Sequence, residues 1–143
     1  TNGTVELQET RGDTYAHTTN GNVIVDSSEG YIKAKTTNGN ITINGETTVR
    51  EASTTNGSIS ASLSAQGTQD TKISTTNGSV KLYLYPDMDA DIELKTINGK
   101  ISAEGISLTL DTMSKNHLIA TIGSGGRKIL AKTVNGSIRL NKK

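Results

Sequence analysis

Few residues in this chain could carry covalent or acid–base chemistry. The chain has 143 residues with two histidines and no cysteine, which excludes disulfides and thiolate zinc sites. His17 and His117 are far apart in the sequence. The many serines and threonines have no identifiable base beside them, and the Gly-x-Ser-x-Gly turn of serine hydrolases is absent. We therefore predict that the chain is not an enzyme and that it holds no cofactor.

Three aspartates at alternate positions, Asp87, Asp89 and Asp91, form the one pattern that resembles a cation site. Alternate side chains of a strand project from one face, and carboxylate oxygens are good ligands for Ca²⁺. The EF-hand pattern fails, because Ile92 stands where glycine is required and Asn98 where glutamate should close the loop. We favour a solvated loop over a calcium site and predict no metal site.

Outward-facing tyrosines are a second candidate for binding. Tyr83 and Tyr85 alternate with Leu82 and Leu84, so the tyrosines face outward if the leucines face the core. Exposed aromatic rings suit sugar rings or protein partners. We interpret this pair as ordinary outer-face residues and keep the binding role as the alternative.

The basic residues are concentrated in residues 112–143. The net charge of the chain is only +1, yet this segment has seven Lys or Arg residues and no Asp or Glu. We predict a basic C-terminal end that binds an anionic envelope polymer or lipid headgroups, or the acidic end of a second molecule. A solvated edge is the alternative. Nucleic acid is not expected as a partner, because aromatic residues are not interleaved with the basic ones. The candidate residues are Lys115, Arg127, Lys128, Lys132, Arg139, Lys142 and Lys143.

An internal repeat defines the elements that must position these residues. The string Thr-x-Asn-Gly-x-Ile/Val recurs with its asparagine at positions 2, 20, 38, 56, 77, 98 and 135. The last interval is about two periods long, so we predict a degenerate copy at Asn116-His117. Between these positions apolar and polar residues alternate, which is typical of half-buried strands, and no helical pattern appears.

Two all-β architectures fit this pattern. In a β-solenoid of about seven coils, each with 18–21 residues, identical corners stack and their asparagines hydrogen-bond along a ladder. In an antiparallel β-meander or barrel, each Asn-Gly closes a hairpin. We favour the solenoid, because stacking explains why the same residues recur in one register. The predicted corner residues are Asn20, Gly21, Asn38, Gly39, Asn56, Gly57, Asn77, Gly78, Asn98, Gly99, Asn116, His117, Asn135 and Gly136.

The solenoid also suits the composition, since only 31% of the residues are hydrophobic and 3% aromatic. Each coil buries only a few small or branched side chains. We predict a single domain over residues 1–143 in which sequence position maps onto axial position. The basic segment 112–143 would then lie at one end of the rod. No apolar run is long enough to span a membrane.

The Thr-x-Asn-Gly-x-Ile repeats resemble the bacterial adhesin-like family of β-strand-repeat domains of unknown function. The resemblance covers nearly the whole chain. It implies a right-handed β-helix-like fold and a location that is extracellular or at the bacterial cell envelope. The first expectation is a non-enzymatic surface module that binds a protein or an envelope polymer. One alternative is a structural subunit that stacks head to tail into an extracellular fibre. Another, by analogy with some members of the family, is an envelope-stress sensor that binds cationic peptides.

Overall fold

The computed structural model describes residues 2–63, 70–84, 89–104 and 109–142. In these residues the chain forms strands connected by short turns, with no helix. The strands are β1 (Val5–Arg11), β2 (Thr14–Asn20), β3 (Val23–Glu29), β4 (Tyr31–Asn38), β5 (Ile41–Asn56), β6 (Ile59–Leu63), β7 (Thr71–Asn77), β8 (Val80–Leu84), β9 (Ala90–Asn98), β10 (Ile101–Glu104), β11 (Thr109–Met113), β12 (His117–Ile122), β13 (Arg127–Asn135) and β14 (Ile138–Lys142).

These strands form two sheets that are joined at the Asn-Gly corners. Sheet A has the order β2, β4, the second part of β5, β7, β13, β9, β12 and β11. Sheet B has the order β1, β3, the first part of β5, β6, β8, β14 and β10. All neighbours are parallel except at β12 and β11, which end sheet A as an antiparallel hairpin. The predicted β-solenoid is therefore confirmed, and a meander of hairpins is excluded, because hairpins join antiparallel strands.

The core lies between the two sheets. It is built from columns of side chains, in which each residue packs on the residue at the same register position of the neighbouring coil. On sheet B, for example, Ile41, Ile59 and Val80 are aligned in register and are fully buried. Sheet A adds buried threonines two residues before the corners, such as Thr36 and Thr75. Small and β-branched side chains fill this thin interior, which explains how a chain with so little hydrophobic mass can form an ordered core.

The corners form a continuous hydrogen-bonded column along the solenoid. Each asparagine Nδ2 donates to the Oδ1 of the preceding asparagine at 2.8 Å, as Asn38 does to Asn20. The hydroxyl of the buried threonine donates to a glycine carbonyl of the neighbouring coil, as Thr36 Oγ1 does to Gly21 at 3.0 Å. The asparagine ladder runs Asn2, Asn20, Asn38, Asn56, Asn77, Asn135, Asn98.

The order of this ladder corrects the prediction that sequence position maps onto axial position. β13 lies between β7 and β9, and β14 lies between β8 and β10. The last repeat of the chain is thus inserted between two earlier coils. Every coil presents the same alternating pattern in the same register, so that pattern fixes the inward face of a strand but not its neighbours.

Asn116 and His117 also differ from the prediction, since they form a hairpin turn and not a corner of a parallel coil. This turn packs on the Asn98-Gly99 corner, where the carbonyl of Asn116 accepts the amide of Thr96 at 3.0 Å. Both residues belong to the hairpin that ends sheet A, where His117 begins β12 and pairs with Lys95 of the antiparallel β9. Ser114 Oγ donates to Asn116 Oδ1 at 3.4 Å. A shared spacing suggested a degenerate repeat here, but β12 runs in the opposite direction and cannot continue a parallel ladder.

Candidate functional site: the outer face of sheet A

The outer face of sheet A concentrates basic side chains. Residues three and five positions before each ladder asparagine point away from the core, because alternate strand residues face opposite sides. We define the sheet A face as these outward residues together with their neighbours at the strand beginnings. Its charged and aromatic members are Asp13, Tyr15, His17, Tyr31, Lys33, Lys35, Arg50, Glu51, Asp70, Lys72, Asp91, Glu93, Lys95, His117, Lys128 and Lys132.

Two glutamates on this face are bound by neighbouring basic groups. Glu51 Oε2 lies 3.4 Å from Lys33 Nζ. Glu93 Oε1 lies 3.2 Å from both Lys95 Nζ and His117 Nε2. Hydrogen bonding to Lys95 and then to His117 lowers the pKa of Glu93, while partial burial opposes the shift. Both glutamates are thus already engaged by cations of their own chain.

The aspartates at the strand beginnings accept backbone amides instead. Asp70 Oδ1 accepts the amide of Lys128 at 3.2 Å. Asp91 accepts the hydroxyl of Thr121 at 3.1 Å and the amide of Gly126 at 3.2 Å. These carboxylates hold the start of β13 and the turn before it, which places β13 in its slot between β7 and β9.

Several cations on the same face have no acidic partner in the part of the chain that the structure describes. They are exposed and follow one another along the axis from β4 through β5 and β7 to β13. Lys35 and Lys132 share one register position, with Ser53 and Ser74 between them, whereas Lys72 and Lys128 lie nearer to the starts of their strands. The charges therefore form a staggered row across strands that are about 4.8 Å apart, and a linear polyanion could follow it. The residues are Lys35, Arg50, Lys72, Lys128 and Lys132.

The insertion of β13 completes this row. Lys132 is paired in register with Ser74 of β7 on one side and with Lys95 of β9 on the other. Lys128 and Lys132 were predicted from the sequence as candidate binding residues, whereas Lys35 and Lys72 were not. A signal was present, because Lys35, Lys95 and Lys132 all stand three residues before a ladder asparagine. Which of these lysines are neighbours on the sheet could not be predicted without the order of the coils.

A shallow depression lies at the β2–β4 end of the face. Its volume is about 180 Å³ and its lining includes Tyr15, Tyr31, Lys33 and Arg50. The ring of Tyr15 is 60% exposed. A second depression of about 330 Å³ shares Arg50 and continues towards Lys72 and Lys128. The two depressions form a groove with an aromatic end, along which Arg50, Lys72 and Lys128 alternate with Glu51 and Asp70.

The other predicted basic residues do not join this face. Arg127 is buried, and Nη2 donates to Thr71 Oγ1 at 2.9 Å. Burial lowers its pKa, while the charge of Asp70 opposes the shift. Arg139 lies on sheet B beside Lys81, and Lys115 lies in the hairpin turn. The side chain of Lys142 and all of Lys143 lie outside the described residues. The predicted basic end is therefore corrected: segment 112–143 is divided between two faces and the core.

The outer face of sheet B is balanced in charge. Lys81, Lys100 and Arg139 are offset by acidic side chains at Glu6, Asp26 and Glu104. A depression of about 270 Å³ is lined by Asn40, Thr42, Ser60, Lys81 and Tyr83, among others. Tyr83 is half-buried there, and Tyr85 lies outside the described residues. Sheet B therefore serves as an internal comparison for sheet A.

The aspartates considered for calcium have a structural role. Asp89 Oδ1 accepts the amide of Ser124 at 2.8 Å, and Asp91 accepts that of Gly126. Both fix the turn between β12 and β13, and Asp87 lies outside the described residues. Within the described ranges, no group of three or more His, Asp or Glu side chains could hold a metal ion.

We expect the Glu93 cluster to make stability depend on pH. The folded-state pKa of Glu93 is lowered from its ordinary value of 4.5. Its contribution to the free energy of unfolding is therefore full above that value and is lost as pH falls through the lowered pKa. Glu93→Gln should lower the melting temperature at pH 7 and should have a smaller effect at an acidic pH below the lowered pKa, where the carboxyl is protonated in both states. Glu104→Gln on sheet B is the matched control, and an equal effect of Glu93→Gln at both pH values would contradict the prediction.

Comparison with known proteins identifies a family. The family model described as Toastrack DUF4097 matches residues 1–141. No curated protein matches the chain, and no solved structure matches it. The described part of the chain contains no helix that is long and apolar enough to cross a membrane.

Proposed function

We propose that this chain, which belongs to the Toastrack DUF4097 family of β-repeat domains, is a non-enzymatic scaffold that binds linear anionic polymers on its sheet A face. Its place of action in this proposal is the bacterial cell envelope or cell surface, where such polymers are the natural partners. The observation that carries the proposal is the row of exposed cations whose neighbouring carboxylates are already engaged. Unpaired surface charges of one sign attract a partner of the other.

The rigidity of the scaffold supports this proposal. Backbone ladders on both sides of every inner strand fix the spacing of the outward side chains. A polymer can therefore bind to several lysines at once without first ordering the surface, which reduces the entropic cost of association. Each contact is weak because it is exposed to water and salt. Binding must therefore depend on several contacts along the row.

The alternatives receive less support from the geometry. Head-to-tail stacking into a fibre would bring the edge of β11 against β2. The asparagine ladder ends at Asn98, and the hairpin of β12 and β11 adds no asparagine to it, so the ladder would be interrupted at that junction. A sensor for cationic peptides would need an acidic surface, whereas the sheet A face has more basic than acidic side chains.

We expect Lys35→Gln combined with Lys132→Gln to weaken binding of poly-L-glutamate at low salt. The affinity should fall about tenfold or more, since each exposed lysine near an anionic surface contributes about 1 kcal/mol. Isothermal titration calorimetry at two salt concentrations measures the effect. Added salt should weaken wild-type binding and reduce the difference between the proteins.

The matched control is Lys81→Gln combined with Arg139→Gln on sheet B. It removes the same two charges from the chain but leaves the sheet A face intact. Each double variant also removes one residue of the basic C-terminal segment: Lys132 in the first variant and Arg139 in the control. Equal losses in both double variants would show that net charge alone governs binding, and the proposal would then fail.

A further inference from the structure

We infer that the Tyr15 depression is a sugar-ring subsite, so that the preferred ligand of the sheet A face is an acidic glycan, with carboxylate or phosphate groups on pyranose rings. This inference rests on the proposed function and narrows its partner. It concerns the groove lined by Tyr15, Tyr31, Lys33 and Arg50 at the β2–β4 end of the cation row. Asp13 also lines this groove, and its Oδ1 accepts the amide of Tyr31 at 3.2 Å.

The first argument is the exposure of Tyr15. A tyrosine ring that is 60% exposed leaves apolar surface in water. Tyr31 and Tyr83 are both half-buried and are therefore less exposed than Tyr15. The C–H groups on one face of a pyranose ring pack against the face of an aromatic ring, while the sugar hydroxyls stay in water. Tyr15 offers such a surface beside a groove that is large enough to receive a ring.

The second argument is the position of the cations around this ring. Lys33 Nζ lies 5.9 Å from the centroid of the Tyr15 ring, and the ring of His17 lies 6.3 Å away. Arg50 lines both this depression and the adjoining one. An acidic sugar stacked on Tyr15 would therefore place its acidic group within reach of Arg50, or of Lys33, which also binds Glu51. An uncharged sugar would use only the ring, and a polyanion without rings would use only the cations.

The third argument is continuity with the lysine row. The adjoining depression of about 330 Å³ leads from Arg50 to Lys72 and Lys128. Successive acidic residues of one glycan chain could thus contact the cations of successive coils. The aromatic end would favour a sugar ring, and the cations along the groove would favour acidic groups.

The test compares two polymers that carry the same acidic group. Polygalacturonate has a carboxylate on each pyranose ring, whereas poly-L-glutamate has carboxylates and no ring. We expect Tyr15→Thr to weaken polygalacturonate binding about fivefold, the size of one aromatic stacking contact, and to leave poly-L-glutamate binding unchanged. Tyr15→Phe should retain binding, because it keeps the ring. Threonine favours strands, and thermal unfolding checks that the variant is folded.

The outcomes distinguish a failure of the sugar subsite from a failure of the proposed function. If Tyr15→Thr weakens both polymers equally, or neither, the sugar subsite is overturned while polyanion binding stands. If wild-type protein binds neither polymer, the proposed function itself fails, and the inference fails with it. Tyr83→Thr on sheet B is the matched aromatic control, and we expect it to bind both polymers as wild type does.

Discussion

Gly78→Ala is expected to destabilise the domain by about 3 kcal/mol or more, since overpacking at a rigid site reaches or exceeds that value. A Cβ atom at Gly78 would overlap the carbonyl oxygen of Gly57 and would lie 2.5 Å from its carbonyl carbon and 3.1 Å from the amide nitrogen of Ser58. All three are backbone atoms of the neighbouring coil, which cannot rotate away. The Gly78 amide also donates to the carbonyl of Asn135 at 3.0 Å, so moving this corner would disturb the coils on both sides.

Gly3→Ala is the matched control for this prediction. Gly3 occupies the same position in the repeat, but a Cβ atom there would meet nothing within 4 Å. Its φ of +126° favours glycine, so alanine should cost only about 1–2 kcal/mol of backbone strain. Urea unfolding measures both values. A Gly78→Ala cost no larger than that of Gly3→Ala would contradict the close stacking of the corners.

Leu140→Ala is expected to lower the free energy of unfolding by about 2–5 kcal/mol, as deletions of fully buried leucines do. Leu140 lies near the end of the sequence but is fully buried. Its register partners are Leu82 of β8 and Ala103 of β10. Truncation would leave a cavity that is enclosed by coils on both sides.

Leu7→Ala is the comparison that tests the order of the coils. Leu7 lies in β1, which pairs only with β3 among the described strands, and it is half-buried. Its truncation should cost clearly less than that of Leu140. If the coils stacked in sequence order, Leu140 and Leu7 would both lie in end coils, and the two truncations should cost similar amounts. Urea unfolding curves of both variants, fitted with a common m-value, decide between the two orders.

The architecture could be predicted from the sequence because the repeat itself indicates which residues form the corners and which residues face the core. Asn38-Gly39 and its equivalents specify the corner, and alternation around Ile41 and Ile43 specifies which side faces the core. The coil order could not be predicted in the same way. Residues 127–142 satisfy the same pattern as any other coil, and their position is decided by tertiary contacts such as those of Asp70 and Asp91 with backbone amides.

The candidate site was predicted only in part for the same reason. Lys132 was recognised as basic, but its relation to Lys35 and Lys72 depends on β13 entering sheet A beside β7. Arg127 was counted as a surface charge, whereas it is buried against Thr71. His117 was assigned to a corner on its spacing alone, and its antiparallel pairing with β9 could not be read from a local motif.

Binding of an acidic glycan to the sheet A face is the central claim, and a backbone NMR titration with polygalacturonate tests it most directly. A chain of 143 residues is well suited to such an experiment. We predict that the largest amide shifts occur in β2, β4, β7 and β13, at and beside Tyr15, Lys35, Lys72 and Lys132, while β6 and β8 of sheet B remain unchanged. Shifts concentrated on sheet B, or no saturable shifts at low salt, would contradict the claim.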